Sequence, residues 1–129
     1  MRTMLVLLAF LCLFATACAG NVECSSSGYK EITGEYLKNW EGVQTFIKTL
    51  RFTDELTDQI SELQNILGEY KKLDIPDCYH PAHDKFMAGM EYGLEGVKLL
   101  GAGSDVADNF DLAEAEFAAA EEEYAKLDQ

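Results

Sequence analysis

Basic residues are scarce in this sequence, which has 10 lysines and arginines against 23 aspartates and glutamates in 129 residues, a formal net charge of −13. A surface of that charge repels nucleic acid and anionic lipid headgroups, so neither is expected as a partner. No segment alternates apolar and polar residues with the period of two that a half-buried strand shows, which argues against a β-sheet. The chain is long enough for one domain with a modest core.

Histidine is rarer still, since it occurs only at His80 and His83. The haem attachment motif Cys-x-x-Cys-His is absent, and so are a nucleophile elbow and an oxyanion loop. Only Cys78 with one of the two histidines could act as nucleophile and base, and a cysteine held in a disulfide cannot serve as a nucleophile. The sequence therefore predicts a protein that is not an enzyme and that needs no cofactor.

Long apolar runs are missing except at the N-terminus. The chain begins MRTMLVLLAFLCLFATACAG, in which Arg2 precedes an apolar run from Leu5 to Phe14 and small residues follow that run. This order is typical of a secretory signal, and the run is too short for a comfortable membrane span. We therefore expect the chain to be exported, with an uncleaved membrane anchor as the alternative.

The end of this segment resembles the signal of a bacterial lipoprotein. Ala15 and Ala17 are the small residues before Cys18, which would accept the lipid once residues 1–17 are removed. The resemblance implies a protein of the cell envelope, attached to the membrane through an N-terminal lipid. Ordinary cleavage after Ala19, which would give a soluble secreted protein, is the alternative.

Two cysteines, Cys24 and Cys78, remain after either cleavage. An even pair in an exported, oxidising compartment predicts a disulfide bond between them. Such a bond closes a long loop, which the chain-entropy model values at about 4 kcal/mol.

The remainder of the chain indicates a tether followed by four helices. Residues 18–28 are small, polar and without periodicity, as in a flexible tether, and residues 29–129 form the single predicted domain. Apolar residues at three- and four-residue steps predict helices over about 29–50, from Thr53 or Asp54 to Tyr70, from 77–81 to Leu100, and from Ser104 or Asp108 to Leu127. The pattern favours an all-α fold, a small antiparallel, up-down-up-down four-helix bundle after an N-terminal signal peptide.

Several residues have predicted structural roles in this bundle. Trp40 and Phe46 are expected to anchor the core, and Met90 to lie on the buried stripe of the third helix. Pro76 breaks the chain between the second and third helices, because proline lacks an amide hydrogen and its predecessor avoids helical angles. Asp77 is expected to cap the helix that follows.

The stretch DIPDCYHPAHDKFMAGM, residues 74–90, is the one part of the sequence that could carry chemistry. Zinc could use Cys78 with both histidines, but a disulfide would remove the thiolate. Imidazoles and thioethers on one helical face suit copper(I), and a haem could be held between a histidine and a methionine. The residues of this metal- or haem-binding alternative are His80, His83, Met87 and Met90. The structural interpretation is that His83 bonds a carbonyl or a tyrosine of a neighbouring helix.

Glycine occurs inside the third helix at Gly89, Gly93 and Gly96, where each costs up to about 1 kcal/mol relative to alanine. The packing interpretation is a close approach of another helix, against Trp40 or Tyr70. The functional alternative is a docking face for an apolar ligand or a protein partner.

The stretch ISELQNILGEYKKLDIPDCYHPAHDKFMAGMEYGLEGVKLL resembles a segment of uncharacterised exported bacterial helical-bundle lipoproteins. In those proteins a leucine-rich helix ends at an L-x-x-P corner, and a helix that opens with histidine follows. The matching positions are Leu73, Pro76, Cys78, His83, Phe86 and Met90. The resemblance implies an extracytoplasmic helical bundle, lipid-anchored or secreted, and we expect a binding or scaffolding role for it.

Overall fold

The structure, a computed structural model, describes residues 24–50 and 55–129. The helices in this part of the chain are α1 (Ser26–Thr49), α2 (Thr57–Lys71), α3 (His80–Gly101) and α4 (Ala107–Lys126). A 3₁₀ turn, Asp77–Tyr79, precedes α3, and the described residues contain no strand. The prediction of an all-α, four-helix fold is confirmed. The predicted signal peptide and Cys18 lie outside the described residues.

The first helix begins earlier than its apolar pattern predicts. Ser25 is the residue before α1, and its hydroxyl accepts a hydrogen bond from the Gly28 amide at 3.1 Å, which satisfies one of the free amides of a helix start. Residues 26–28, which the sequence assigned to the flexible tether, therefore form the first turn of α1. The start of α2 also differs from the prediction, because the helix begins at Thr57 without a side-chain cap, and Thr53 and Asp54 lie outside the described residues.

The corner between α2 and α3 lies where proline predicts it. Helix α2 ends at Lys71, the Tyr79 amide bonds to the Pro76 carbonyl at 3.0 Å, and α3 begins at His80. The expected cap is wrong, because Tyr79 is the residue before α3 and no side chain caps this helix. Asp77 instead opens the 3₁₀ turn.

The end of α3 and the start of α4 also lie at slightly different residues from those that the sequence predicts. Helix α3 ends at Gly101, and Gly103 takes a left-handed φ of 73°, a conformation that glycine adopts at low cost. The amide of Ala107, the first residue of α4, bonds to the Asp105 carboxylate at 3.1 Å. The fourth helix thus begins at neither Ser104 nor Asp108 but at Ala107.

The main core contains the predicted apolar seam of α2 and the centre of α3. Trp40, Leu63, Tyr70 and Met90 are each at most 2% exposed, as their helical spacing predicts. The expectation for Phe46 is wrong, since its side chain is 51% exposed. Val43, three residues earlier, is buried instead, with 7% of its surface exposed.

The glycines of α3 allow α4 to approach it closely, as the packing interpretation predicts. A Cβ atom built on Gly89 would lie 2.9 Å from the Phe117 ring, and one on Gly96 would lie 2.9 Å from the Phe110 ring. A Cβ atom built on Gly93 would lie 3.1 Å from the side-chain amide of Gln44 and 3.4 Å from the Trp40 ring, the expected tryptophan contact. Helix α4 packs along α3 far more extensively than along α1, so the seam between α1 and α4 is left partly open.

One end of the bundle, which we call the fastened end, is held by the Cys24–Cys78 pair and by hydrogen bonds of Ser26. Cys24 and Cys78 lie at disulfide distance, with their Cα atoms 5.8 Å apart, as the cysteine count predicts. Ser26 bonds to the Asp128 carboxylate through its amide and its hydroxyl, and the Tyr124 hydroxyl donates to the Ser26 carbonyl at 3.2 Å. The starts of α1 and α3 therefore lie beside the end of α4.

Candidate functional site

An apolar cavity of about 370 Å³ opens between α1, α3 and α4, and we call it the first cavity. Its apolar lining consists of Ile47, Val97, Leu100, Phe110, Ala113 and Phe117. Cavities of this size with an apolar lining are where proteins most often bind small molecules. The first cavity is therefore the candidate functional site.

The packing of α4 on α3 produces this cavity. Phe110 and Phe117 rest on the backbone of α3 at Gly96 and Gly89, so their rings form a wall instead of reaching toward α1. The small side chain of Ala113, 4% exposed, lies between the two rings in sequence and leaves space that a larger residue would fill.

Three polar side chains also line the first cavity. Gln44 and Lys48 come from the last turns of α1, and Glu114 comes from the second turn of α4. Lys48 and Glu114 are both exposed, and neither forms an ion pair with any residue in the described ranges 24–50 and 55–129. One positive and one negative charge therefore stand on facing helices beside an apolar space, without ion-pair partners among the described residues.

A second cavity of about 520 Å³ lies along the same seam between α1 and α4, toward the fastened end. Its lining includes Thr33 and Leu37 of α1, Phe86 of α3 and Tyr124 of α4. The rings of Phe86 and Phe117 pack with their centroids 6.4 Å apart. Since each ring lines one of the two cavities, the Phe86–Phe117 pair separates them.

The residues of the metal- or haem-binding alternative have different surroundings in the structure. The His80 side chain is half-exposed and lies 3.6 Å from Asp77 and 3.8 Å from Asp84, whereas Met90 is fully buried in the apolar core. Met87 is partly buried and packs against that core. No group of three or more histidine, cysteine or acidic side chains is placed to hold a metal ion in the part of the chain that the structure describes.

His83 instead belongs to a buried polar cluster with Tyr29 and Tyr70. The Tyr29 hydroxyl lies 2.6 Å from the Tyr70 hydroxyl and 3.2 Å from Nδ1 of His83, whose ring stacks on that of Tyr70 at 4.2 Å. The tyrosine partner that the structural interpretation offered for His83 is thus confirmed. Tyr29 was missed in the sequence, although Tyr29, Thr33 and Trp40 are spaced as one face of a helix and are all buried.

Burial shifts the pKa values of the cluster in the directions expected of a structural contact. Burial raises the pKa of Tyr29 to about 12 and raises the pKa of Tyr70 further, so both phenols are neutral. Burial also lowers the pKa of His83, against the opposing effect of the nearby Asp84 carboxylate. A neutral imidazole can accept a hydrogen bond from the Tyr29 hydroxyl at Nδ1, while the Tyr70 hydroxyl donates a hydrogen bond to Tyr29.

The lowered pKa of His83 predicts that the protein loses stability in mild acid. Between a pH of about 6.5, the pKa of histidine in an unfolded chain, and the lower folded-state pKa, the unfolded chain binds more protons than the folded one. The free energy of unfolding therefore falls as the pH falls through this window and is fully restored above it. Urea unfolding at a series of pH values between 5 and 8, followed by circular dichroism, measures the slope.

Substituting glutamine for each histidine in turn shows whether the buried imidazole of His83 causes the slope. His83→Gln should flatten the slope, because the titrating group is gone, whereas His80→Gln should keep it, because the exposed His80 is removed and the buried His83 stays. An unchanged slope in His83→Gln would show that other groups cause the acid sensitivity.

The glycine-lined face of α3 is not an open docking surface. Gly89, Gly93 and Gly96 are all buried, and the rings of Phe117, Trp40 and Phe110 cover them. The docking alternative for this face is thus replaced by packing within the chain. Binding, if it uses this region, uses the other side of the same phenylalanine rings, where the first cavity lies.

No protein-family model, no curated protein and no solved structure matches this chain. The resemblance to exported bacterial lipoproteins therefore stays a prediction. Among the described residues, no helix is long and apolar enough to cross a membrane.

Proposed function

We propose that this protein is a non-catalytic binding protein that takes a small apolar ligand into the first cavity. The observation that carries the proposal is the apolar space of about 370 Å³ between α1, α3 and α4, with three polar side chains in its lining. Apolar pockets with a few well-placed polar groups are the general form of small-molecule sites. The buried histidine and tyrosines support the absence of catalysis, since they bond to each other at the fastened end, away from Lys48 and Glu114.

We also propose that binding takes place at the cell envelope, with the chain anchored by a lipid on Cys18. The N-terminal sequence supports this location, and so does the pairing of Cys24 with Cys78, because disulfides persist in oxidising compartments. Six residues from Cys18 to Cys24 span at most about 20 Å, which would keep the bundle close to the membrane. Intact mass spectrometry of the chain isolated from the producing cell tests the anchor: an unmodified Cys18, or its absence, would contradict it.

Filling the first cavity should abolish binding. Ala113→Leu adds three carbon atoms between Phe110 and Phe117, and we expect the affinity for the neutral apolar dye N-phenyl-1-naphthylamine to fall at least about tenfold, because the apolar contact area of the dye is lost. Fluorescence titration of the dye measures the affinity. A neutral dye is preferred because the acidic chain would repel an anionic one.

Ala115→Leu is the matched control, since it makes the same substitution on the same helix at an exposed position outside the cavity lining. It should bind the dye as the natural chain does. Circular dichroism shows whether both variants keep their helices. Equal dye affinity in the folded Ala113→Leu variant and the control would overturn the proposed site, and so would the absence of dye binding by the natural chain.

A further inference from the structure

The lining of the first cavity extends farthest along α4. On that helix it covers two turns, from Phe110 to Phe117, which is about 10 Å along the helix axis. It covers about one turn of α1 and one of α3. Its volume of about 370 Å³ holds about a dozen non-hydrogen atoms at about 30 Å³ each. A flexible aliphatic chain of about that many carbons would fill this space.

Opposite charges stand on the two helices that border this space. Lys48 and Glu114 stand without ion-pair partners among the described residues, and the amide of Gln44 lies one turn before Lys48. A headgroup with one positive and one negative charge complements this pair. A purely anionic headgroup would meet the repulsion of a chain with a net charge of −13, whereas a zwitterion has no net charge to be repelled.

Of the α4 residues that line the first cavity, Phe117 lies nearest in sequence to Glu121 and Tyr124, which line the second cavity. Its ring is held against α3 by Gly89 and packs on Phe86, beyond which the second cavity of about 520 Å³ continues along the seam. A smaller side chain at position 117 would connect the two spaces. Phe117 is therefore placed to limit how far a linear chain can enter.

From these observations we infer that the ligand is a single-chain zwitterionic amphiphile, whose aliphatic tail lies between α1 and α4 and whose tail length is set by Phe117. This inference rests on the proposed function, since it names the ligand class of the same cavity. The tail extends from the Lys48 and Glu114 charges toward Phe117, and the headgroup stays in the solvent-exposed mouth.

Alkylphosphocholines with tails of about 8 to 16 carbons, used below their micelle concentrations, test the tail length by displacing N-phenyl-1-naphthylamine. Each methylene that enters the cavity should raise the affinity about fourfold, and the rise should stop at about twelve carbons, when the first cavity is full. In Phe117→Leu the rise should continue to the longest tail tested, about 16 carbons, because the second cavity of about 520 Å³ has room for the added carbons. In Ala115→Leu the affinity should stop rising at the same tail length as in the natural chain.

Phe86→Leu shortens the other member of the Phe86–Phe117 ring pair and should let the affinity rise with tail length in the same way. The test therefore does not depend on the folding of a single variant. If the affinity stopped rising at the same tail length in folded Phe117→Leu and Phe86→Leu as in the natural chain, the role of Phe117 would be overturned. Failure of every alkylphosphocholine to displace a dye that binds would overturn the ligand class while leaving the proposed function in place. No dye binding by the natural chain would overturn both.

The headgroup is tested by Lys48→Gln. This variant should bind dodecylphosphocholine about threefold more weakly, the size of an exposed ion pair, and should bind dodecanol, which has no charge, as the natural chain does. Lys72→Gln, which removes a charge that already pairs with Glu69, is the matched control and should change neither affinity. Equal loss for dodecanol and dodecylphosphocholine would contradict a charged headgroup contact.

Discussion

Replacing Gly89 with leucine should lower the free energy of unfolding by about 3 kcal/mol, near the upper end of the range for overpacked sites. Three atoms of the Phe117 ring, including the ring carbon bonded to its Cβ, lie within 3.0 Å of where the new Cβ would stand. The ring cannot avoid the clash by moving only its tip, so α4 must move away from α3. Urea unfolding monitored by circular dichroism measures the loss.

Gly42→Leu is the matched control for this substitution. Gly42 is also inside a helix, but it is exposed and a Cβ built there meets no atom within 4 Å. The same change should therefore stabilise the protein by up to about 1 kcal/mol, because leucine is the better helix former. If both variants shifted stability in the same direction, the close contact between Gly89 and Phe117 would not be a property of the protein in solution.

The glycines of α3 link the packing of the bundle to its candidate site. Because α4 lies close against α3, its phenylalanine rings rest on the α3 backbone and do not fill the seam toward α1. A helix with alanines or leucines at these positions would hold α4 farther away and alter the wall of the first cavity. The unfavourable helix propensity of glycine is thus offset by close packing, and the open seam is a consequence of the same packing.

Much of the fold could be predicted because the signals are local. The seam of α2 follows a regular three- and four-residue step and is buried as expected at Leu63, Leu67 and Tyr70. The corner at Pro76 follows from the missing amide of proline, and the Cys24–Cys78 pair follows from counting the cysteines left after the signal.

The parts that could not be predicted depend on contacts between helices. Phe46 belongs to a helical pattern that is apolar on more than one side, and the sequence does not show which side faces α4, α3 or solvent. Tyr29 looks like the edge of a tether until its hydroxyl is seen bonded to Tyr70 and His83. The first cavity has no sequence signature, since it is the space that remains where α1 and α4 do not meet.

Removing the disulfide should lower the free energy of unfolding by about 4 kcal/mol, the largest effect expected for this chain. The bond closes a loop with a sequence separation of 54 residues, so its loss restores much conformational freedom to the unfolded chain. Against a typical stability of about 5–15 kcal/mol, this is a substantial fraction. Urea unfolding of the natural chain with and without a thiol reductant measures the change.

The double variant Cys24→Ser with Cys78→Ser should have the stability of the reduced natural chain and should not respond to the reductant. A natural chain that gains two hydrogens on reduction by intact mass, yet unfolds at the same urea concentration, would contradict the expected role of the bond.

Dye affinity adds a spatial test. Ser26, next to the bond, and Gln44 of the first cavity are about 27 Å apart along α1. Reduction under conditions where the bundle stays folded should therefore leave the affinity for N-phenyl-1-naphthylamine unchanged, because the fastened end and the first cavity lie at different levels of the same helix.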